Sequence, residues 1–509
     1  MFAFILSNLI GLVRQILISR AFGTDKSIDA FYAASTYPDL IFSLVAGGAL
    51  SSAFLPTFTG LLSRDERANA WKLAAAVTNL ILVILIFLSI LSSIFSFQIV
   101  RYILARGFSS EQQILTASIL RVLLIAPAIF GVSGLLMGIL NAHQKFLLPA
   151  LAPSMYWLGM IFGLIFLVPS MGVFGLAWGA VLGAGLHLIV QLPGLMQLPS
   201  PAYHFTLGLG NPSVREVARL MGPRLLGVAV VQLNFVVNTM IASGLAVGSL
   251  SAIKYAWQIM TMPQVVIAQA IAIAALPTFS AQAAQNQTDE MRSSLAATLR
   301  GVILLSLPAT IGLILLREPI IAALFQRGEF NARSTEMVSW ALLWYTAGLV
   351  GHSFVEILSR AFYALHDTKM PVIVGTIAMG LNVLFSFGFA WIFSQIGWMP
   401  HGGLALANSF ATALEGTALF ILMRRRLTGI EGRSIFDGTL RVLVATLGMA
   451  IGLWLWIQIT GGMNRWLVAL GGVALGGIIY LAGVVILRVP EIQMLIGMVT
   501  RRLRRSPIS

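Results

Sequence analysis

Charged side chains lie inside, or at the edge of, stretches otherwise apolar enough to cross a membrane. The first half of the chain carries Arg14, Asp29, Asp39 and Arg121; the second carries Arg224, Lys254, Glu356, Arg360 and Glu415. A charge in hydrocarbon is costly, so each needs a partner, a route to the interface or a task. Arg14 stands mid-span in Gly11-Leu12-Val13-Arg14-Gln15, and Arg224 follows Gly222-Pro223 at the start of the seventh expected helix. Two guanidinium groups facing one cavity would suit an anionic head group, because each can grip phosphate oxygens through two parallel hydrogen bonds. Lys254 would aid them, and Asp29 and Asp39 would orient or release the cations. The opposing reading makes Arg14 or Arg224 half of an ion pair with Asp29, Asp39 or Glu415, or lets Arg224 and Lys254 snorkel to the membrane edge. Glu356 and Arg360, four residues apart, share a helix face and are expected to neutralise each other. His187 and His352 are expected to be hydrogen-bonded packing residues, because a proton relay needs a chain of partners.

Other chemistries are poorly served. Zero cysteines remove disulfides and thiolate metal sites, and the six histidines form no metal-ligand spacing. No paired carboxylates read as an acid and a base, and no Gly-rich loop ending in Lys-Ser/Thr offers a nucleotide site, so an enzyme is not expected. Any driving force must then come from a coupling ion (sodium or a proton), the membrane potential or a substrate gradient. The net charge of +14 points away from nucleic acid, because the basic residues fall between apolar spans, where they set topology and meet anionic membrane lipids.

The elements that must hold these residues are membrane helices. The chain has 509 residues, of which 58% are hydrophobic and 10% charged, against ~25% charged in a soluble domain. Stretches near 20 residues, enough to cross ~30 Å of hydrocarbon, lie near 2–22, 30–61, 73–97, 114–141, 147–168 and 172–196. A second set lies near 216–243, 249–283, 295–316, 334–364, 371–395 and 402–424, and two more near 438–460 and 466–487. The first set repeats in the second. Leu55-Pro56-Thr57-Phe58 returns as Leu276-Pro277-Thr278-Phe279, and Arg106-Gly107 as Arg327-Gly328, both 221 residues on. Pro149 meets Pro371 at 222, Tyr32-Ala33 meets Tyr255-Ala256 at 223, and Gly175-Leu176-Ala177 meets Gly403-Leu404-Ala405 at 228.

The expected fold is an all-α polytopic membrane protein of about 14 transmembrane helices: lobes at 1–200 and 201–428, then two helices and a basic tail at 429–509. An even number of helices per lobe makes the repeat parallel, related by an axis along the membrane normal, with a transport site between the halves. Lys and Arg outside the spans number 17 on one side and 7 on the other, which places both termini in the cytoplasm of a bacterial inner membrane protein. The tail, with Arg501, Arg502, Arg504 and Arg505 among apolar residues, is expected on the cytoplasmic leaflet. Pro38 and Pro56 in the second helix, and Pro263 and Pro277 in the eighth, each remove a backbone hydrogen bond. They are read either as gating kinks that line a cavity or as static bends. Gly179-x-x-x-Gly183 and Gly472-x-x-x-Gly476 are read as close-packing devices.

These residues resemble a known family. Gly11-Leu12-Val13-Arg14-Gln15, Ala21-Phe22-Gly23, Asp29-Ala30-Phe31, Pro38, Gly48-Ala49 and Ala53-Phe54-Leu55-Pro56 look like the opening of the MurJ (MviN) lipid II flippases. Tyr255-Ala256, Met262-Pro263, Leu276-Pro277 and Arg327-Gly328 extend the likeness. The resemblance implies the multidrug/oligosaccharidyl-lipid/polysaccharide exporter fold: two six-helix lobes, a central cavity, and two further helices forming a lipid groove. It also implies alternating-access transfer of a polyprenyl-pyrophosphate-linked saccharide, the peptidoglycan precursor lipid II, to the outer leaflet. Where well-studied members carry further cavity arginines, this chain has Asn8, Phe42 and Gln258. Either Arg224 and Lys254 substitute for them, or the substrate differs. The sodium site of some members has Asn238, Asn382 and Ser386 as its nearest candidates here, without carboxylates. Two further readings stay open at this stage: export of another lipid-linked polysaccharide or of a small cationic drug, and a non-transporting scaffold for cell-wall synthesis proteins.

Overall fold

The computed structural model describes the backbone of residues 2–45, 48–199, 203 and 205–493, and the side chains of all these except 2–5, 48–52, 223, 224 and 226. Among the described residues the regular structure is helical. The chain divides into two compact units, 1–251 with 327–331, and 252–326 with 332–509.

In unit 1 the helical runs are α1 (Phe2–Phe22), α2 (Lys26–Val45), α3 (Gly48–Ser63), α4 (Arg67–Ile94), α5 (Ser110–Ala142), α6 (Leu147–Met171), α7 (Val173–Met196) and α8 (Pro212–Ser243). Unit 2 holds most of α9 (Ser249–Ala284), then α10 (Thr288–Phe325), α11 (Ala332–Ala347), α12 (Leu349–Ala364), α13 (Lys369–Gln395), α14 (His401–Arg426), α15 (Gly432–Thr460) and α16 (Arg465–Ile486). Ten of these runs are long and apolar enough to cross a membrane, and up to 12 spans result if two bent pairs, the two parts of α8 and α11 with α12, each count as one. All twelve fall on expected stretches. The expected span near 2–22 coincides with α1, whose side chains 2–5 are outside the described set, and that near 30–61 includes residues 46 and 47, also outside it, so the total of fourteen is not fixed by these helices. The repeat boundary at 200/201 and the packing boundary at 251/252 divide the chain differently, because α8, which opens the second repeat, packs on α2 and α3.

Helices hold here because the bilayer leaves every backbone amide to find its partner internally. Apolar side chains then face outward as well as inward: Ile377, Leu384 and Trp391 on α13 are all more than half exposed, as lipid-facing residues should be. Pro38 lies in α2, Pro56 in α3, and Pro263 and Pro277 in α9, and none ends its helix. After Pro263 the backbone widens into a π-turn at Val265–Gln269, which takes up the break left by the missing N–H.

Unit 1 has its tightest helix contact between α6 and α7. A methyl at Gly159 would fall 2.3 Å from the Gly183 Cα, and one at Gly163 would fall 2.5 Å from the Gly179 Cα. The two backbones therefore touch, as the Gly179-x-x-x-Gly183 spacing predicts. Gly472 and Gly476 in unit 2 face Leu316 and Leu453 side chains instead. Unit 2 has an apolar centre in which Phe279, Leu299, Phe362, Leu419, Met423 and Leu453 are buried together.

The duplicated Arg-Gly loops dock reciprocally, both within unit 1. Gly107 lies against Gly244 beyond the end of α8, so closely that a methyl would sit 2.3 Å from the Gly244 Cα, and its N–H donates to Ser243 Oγ at 3.1 Å. Gly328 lies against the Arg20 carbonyl at the end of α1, Gly23 lies against the Glu329 carbonyl, and the Glu329 N–H donates to the Arg20 oxygen at 3.0 Å. Gly23 and Gly328 have φ of +56° and +61°, which side chains avoid.

Candidate functional site

Arg14 projects from α1 toward α6, its main neighbour. Its guanidinium carbon lies 4.1 Å from the centre of the Trp157 ring, a cation–π contact worth about 2 kcal/mol where water is scarce. Nη2 donates to Gln15 Oε1 at 2.9 Å, and Nη1 points to the Met160 sulfur at 3.9 Å. Gln15 is buried and its Nε2 donates in turn to the Tyr32 hydroxyl at 2.9 Å. Gly11, one turn earlier on α1, leaves room for the Trp157 ring edge, with its Cβ position 3.5 Å from Nε1. Gln15 and Trp157 thus fix the guanidinium from two sides.

Aromatic rings continue from this point. Trp157 meets Tyr156 in a tilted contact at 4.7 Å, Tyr156 meets Phe130 edge-on at 5.1 Å, and Phe130 meets Phe42, tilted, at 5.5 Å. Tyr156 lies within electrostatic reach of both Arg14 and Asp39, so the three belong to one electrostatic neighbourhood. Phe42 stands where the family resemblance implies an arginine, and its ring completes an apolar cluster. Asp29 is buried and its carboxylate accepts from the Gly248 N–H at 2.7 Å and the Ser251 N–H at 2.8 Å. It caps the start of α9.

The remaining expected residues are dispersed. The Arg224 side chain lies outside the described residues, as does the tail from 494 onward. Lys254 is on α9 in unit 2, half-buried, as is Gln258. Glu356 and Arg360 form the expected pair at 2.9 Å. His187 Nδ1 meets Ser133 Oγ at 2.6 Å, and His352 Nε2 meets Asn408 Oδ1 at 3.1 Å, both hydrogen-bonded in the packing. Arg121 donates to Ser96 Oγ at 2.8 Å. Asn238 donates to Asn234 on α8, and Ser386 donates to Asn382 Oδ1 at 3.2 Å on α13. These are neutral oxygens without a carboxylate, a weak donor set for a hard cation. Among the described residues no three His, Asp or Glu gather as a metal-holding group.

Trp157, Gln15, Tyr32 and Tyr156 were not legible as site residues. Gln15 follows Arg14 directly, a usable signal. Trp157 sits in an apolar run, where an aromatic normally means packing or lipid contact.

Membrane-length helices in a duplicated chain, with an arginine held on an aromatic platform inside them, define a polytopic membrane carrier. The chain belongs to the MurJ family: residues 18–470 match the family described as lipid II flippase MurJ. It is 33% identical over 469 residues to the lipid II flippase MurJ of Burkholderia cenocepacia, covering 91% of this chain and 87% of that one. It is 29% identical to a probable lipid II flippase MurJ of Vibrio cholerae, covering 88% and 85%. Among solved structures it resembles a lipid II flippase MurJ in an inward closed conformation, with a TM-score of 0.81 at 25% identity over 96% of this chain and 98% of that one. An inward-facing multidrug resistance MATE family transporter shares the fold, with a TM-score of 0.67 at 18% identity over 83% and 94%.

Proposed function

We infer that this protein is a lipid II flippase, which carries a polyprenyl-pyrophosphate-linked saccharide across the inner membrane by exposing one site alternately to each side. It is a transporter and not an enzyme. Family membership supplies the substrate class, and the observation that carries the reading in this chain is Arg14 fixed on Trp157 and Gln15.

A pyrophosphate bound there would accept from the Arg14 guanidinium N–H groups. In a low-dielectric setting such charge-assisted bonds are stronger than in water. The Trp157 face and the Gln15 amide hold the cation before substrate arrives, so less side-chain freedom is lost on binding. Asp39, in the same electrostatic neighbourhood, would reclaim the guanidinium as the pyrophosphate leaves. Lys254 and Arg224 would supply the charge that Asn8, Phe42 and Gln258 do not. Transport would draw on a coupling ion or the membrane potential, with both termini in the cytoplasm.

Complementation of a bacterium depleted of its own MurJ tests this. The wild-type chain should restore growth, and Arg14→Ala, inserted at the same level, should not. Failure of the correctly inserted wild-type chain, or full rescue by Arg14→Ala, would overturn the reading.

A further inference from the structure

A cavity of about 1060 Å³ opens at one end of unit 2, where the last turn of α14 passes into the first turns of α15. Arg424, Arg433 and Arg441 line it, with Glu431, Asp437 and Phe420. Arg433, Asp437 and Arg441 are spaced by four on α15 and share one face of that helix. Yet among the described residues no ion pair joins any of these five charges, and the Arg424 and Arg433 side chains make no hydrogen bond. Arg441 spends one N–H on the Arg488 carbonyl at 2.9 Å.

Beside the cavity lies a completed polar network. Arg300 from α10 pairs with Glu491, both only 15% exposed, and also donates to Ser434 Oγ. Gly438, in the cavity wall, admits the Arg300 side chain; a methyl there would come within 2.9 Å of its Cδ. This network ties α10, α15 and the segment after α16 together, so the arginines project from a braced frame. Three guanidinium groups against two carboxylates leave a positive excess, which Arg425 and Arg426 next door enlarge.

We propose that this cavity binds the phosphate of an anionic phospholipid head group. Planar guanidinium donors from α14 and α15 match phosphate oxygens. The lipid source, and not a free phosphate ion, is indicated by what adjoins the cavity: Phe436 and Leu440 on the neighbouring face of α15 are 66% and 50% exposed. They offer a surface for acyl chains at the level where a head group would sit. The site lies wholly in unit 2, and the Lys/Arg count assigns its loop to the arginine-rich side, where anionic lipid is attracted.

The test is native mass spectrometry of the full-length purified protein with phosphatidylglycerol or zwitterionic phosphatidylethanolamine. The double variant Arg424→Gln/Arg433→Gln should bind phosphatidylglycerol about tenfold more weakly and phosphatidylethanolamine unchanged. Arg64→Gln/Arg219→Gln removes the same charge from exposed positions in unit 1 that do not line the cavity and should bind both lipids as wild type does. Unchanged phosphatidylglycerol binding by the first variant, or an equal loss in both, would overturn the site. Displacement of the lipid by millimolar inorganic phosphate would overturn the lipid source. Arg424→Lys/Arg433→Lys should recover part of the binding.

Discussion

The hairpins α6–α7 and α13–α14 descend from one duplicated unit and are packed in two ways. Both keep one backbone contact: Gly175 against Leu167 and Val168, and Gly403 against Phe389 and Ala390. Elsewhere they part. α6–α7 closes through Gly159–Gly183 and Gly163–Gly179, whereas at the repeat offsets Leu381, Phe385, Ala407 and Ala411 occupy those four positions of α13–α14. There Phe385 and Phe389 stack at 5.7 Å, and Phe410 meets both edge-on at 5.1 and 6.0 Å. The same pair of helices can thus be sealed by main chain or by side chains. The main-chain version carries Trp157 and Met160, the surface on which Arg14 rests, and its lack of movable side chains fixes that surface. At the matching offset the other hairpin has Met379 and Asn382.

The largest blow to this contrast is Gly159→Leu, which drives a side chain into the α7 backbone. The membrane-inserted protein, measured by immunoblot of washed membranes, should fall to about a tenth of wild type or less. Gly175→Ala and Gly403→Ala come next. Each places a methyl within 2.6 Å of backbone, and similar losses of melting temperature from both would show that this contact kept its weight in both repeats. A large loss from only one would break the equivalence. Trp157→Leu should leave accumulation intact while reducing growth rescue several-fold, because the guanidinium loses a contact of about 2 kcal/mol; rescue at the wild-type level would detach the hairpin from the site. Phe389→Leu is the mildest. It removes ring stacking worth about 1 kcal/mol and should lower the melting temperature by about 2 °C.

Much of this was legible before any coordinates. Helix positions follow from runs of apolar residues, since the bilayer permits little else, and the repeat follows from Leu55-Pro56-Thr57-Phe58 and Arg106-Gly107. Arg14 was legible because a mid-span arginine is rarely idle, and the Glu356–Arg360 pair because its partners are one turn apart. The platform was not, because Trp157 meets Arg14 from 143 residues away, and nothing local separates a stacking tryptophan from a lipid-facing one. Asp29 shows the same limit: its partners are main-chain N–H groups at Gly248 and Ser251, which carry no mark in the residue types. The second expected span, over 30–61, includes residues 46 and 47, which lie outside the described residues, between Lys26–Val45 and Gly48–Ser63.

The docked Arg-Gly loops bear on the protein's origin. Gly107 meets Gly244, and the matching loop from the other repeat meets the end of α1, at Arg20 and Gly23, which itself lies 221 residues before Gly244. Patch i touches patch j and j's equivalent touches i's, which is the exchange that defines an isologous interface between identical subunits. The contact is therefore the one a homodimer would make, preserved inside a single fused polypeptide whose copies have since been free to diverge, one keeping Arg14 and the other replacing it with Phe235.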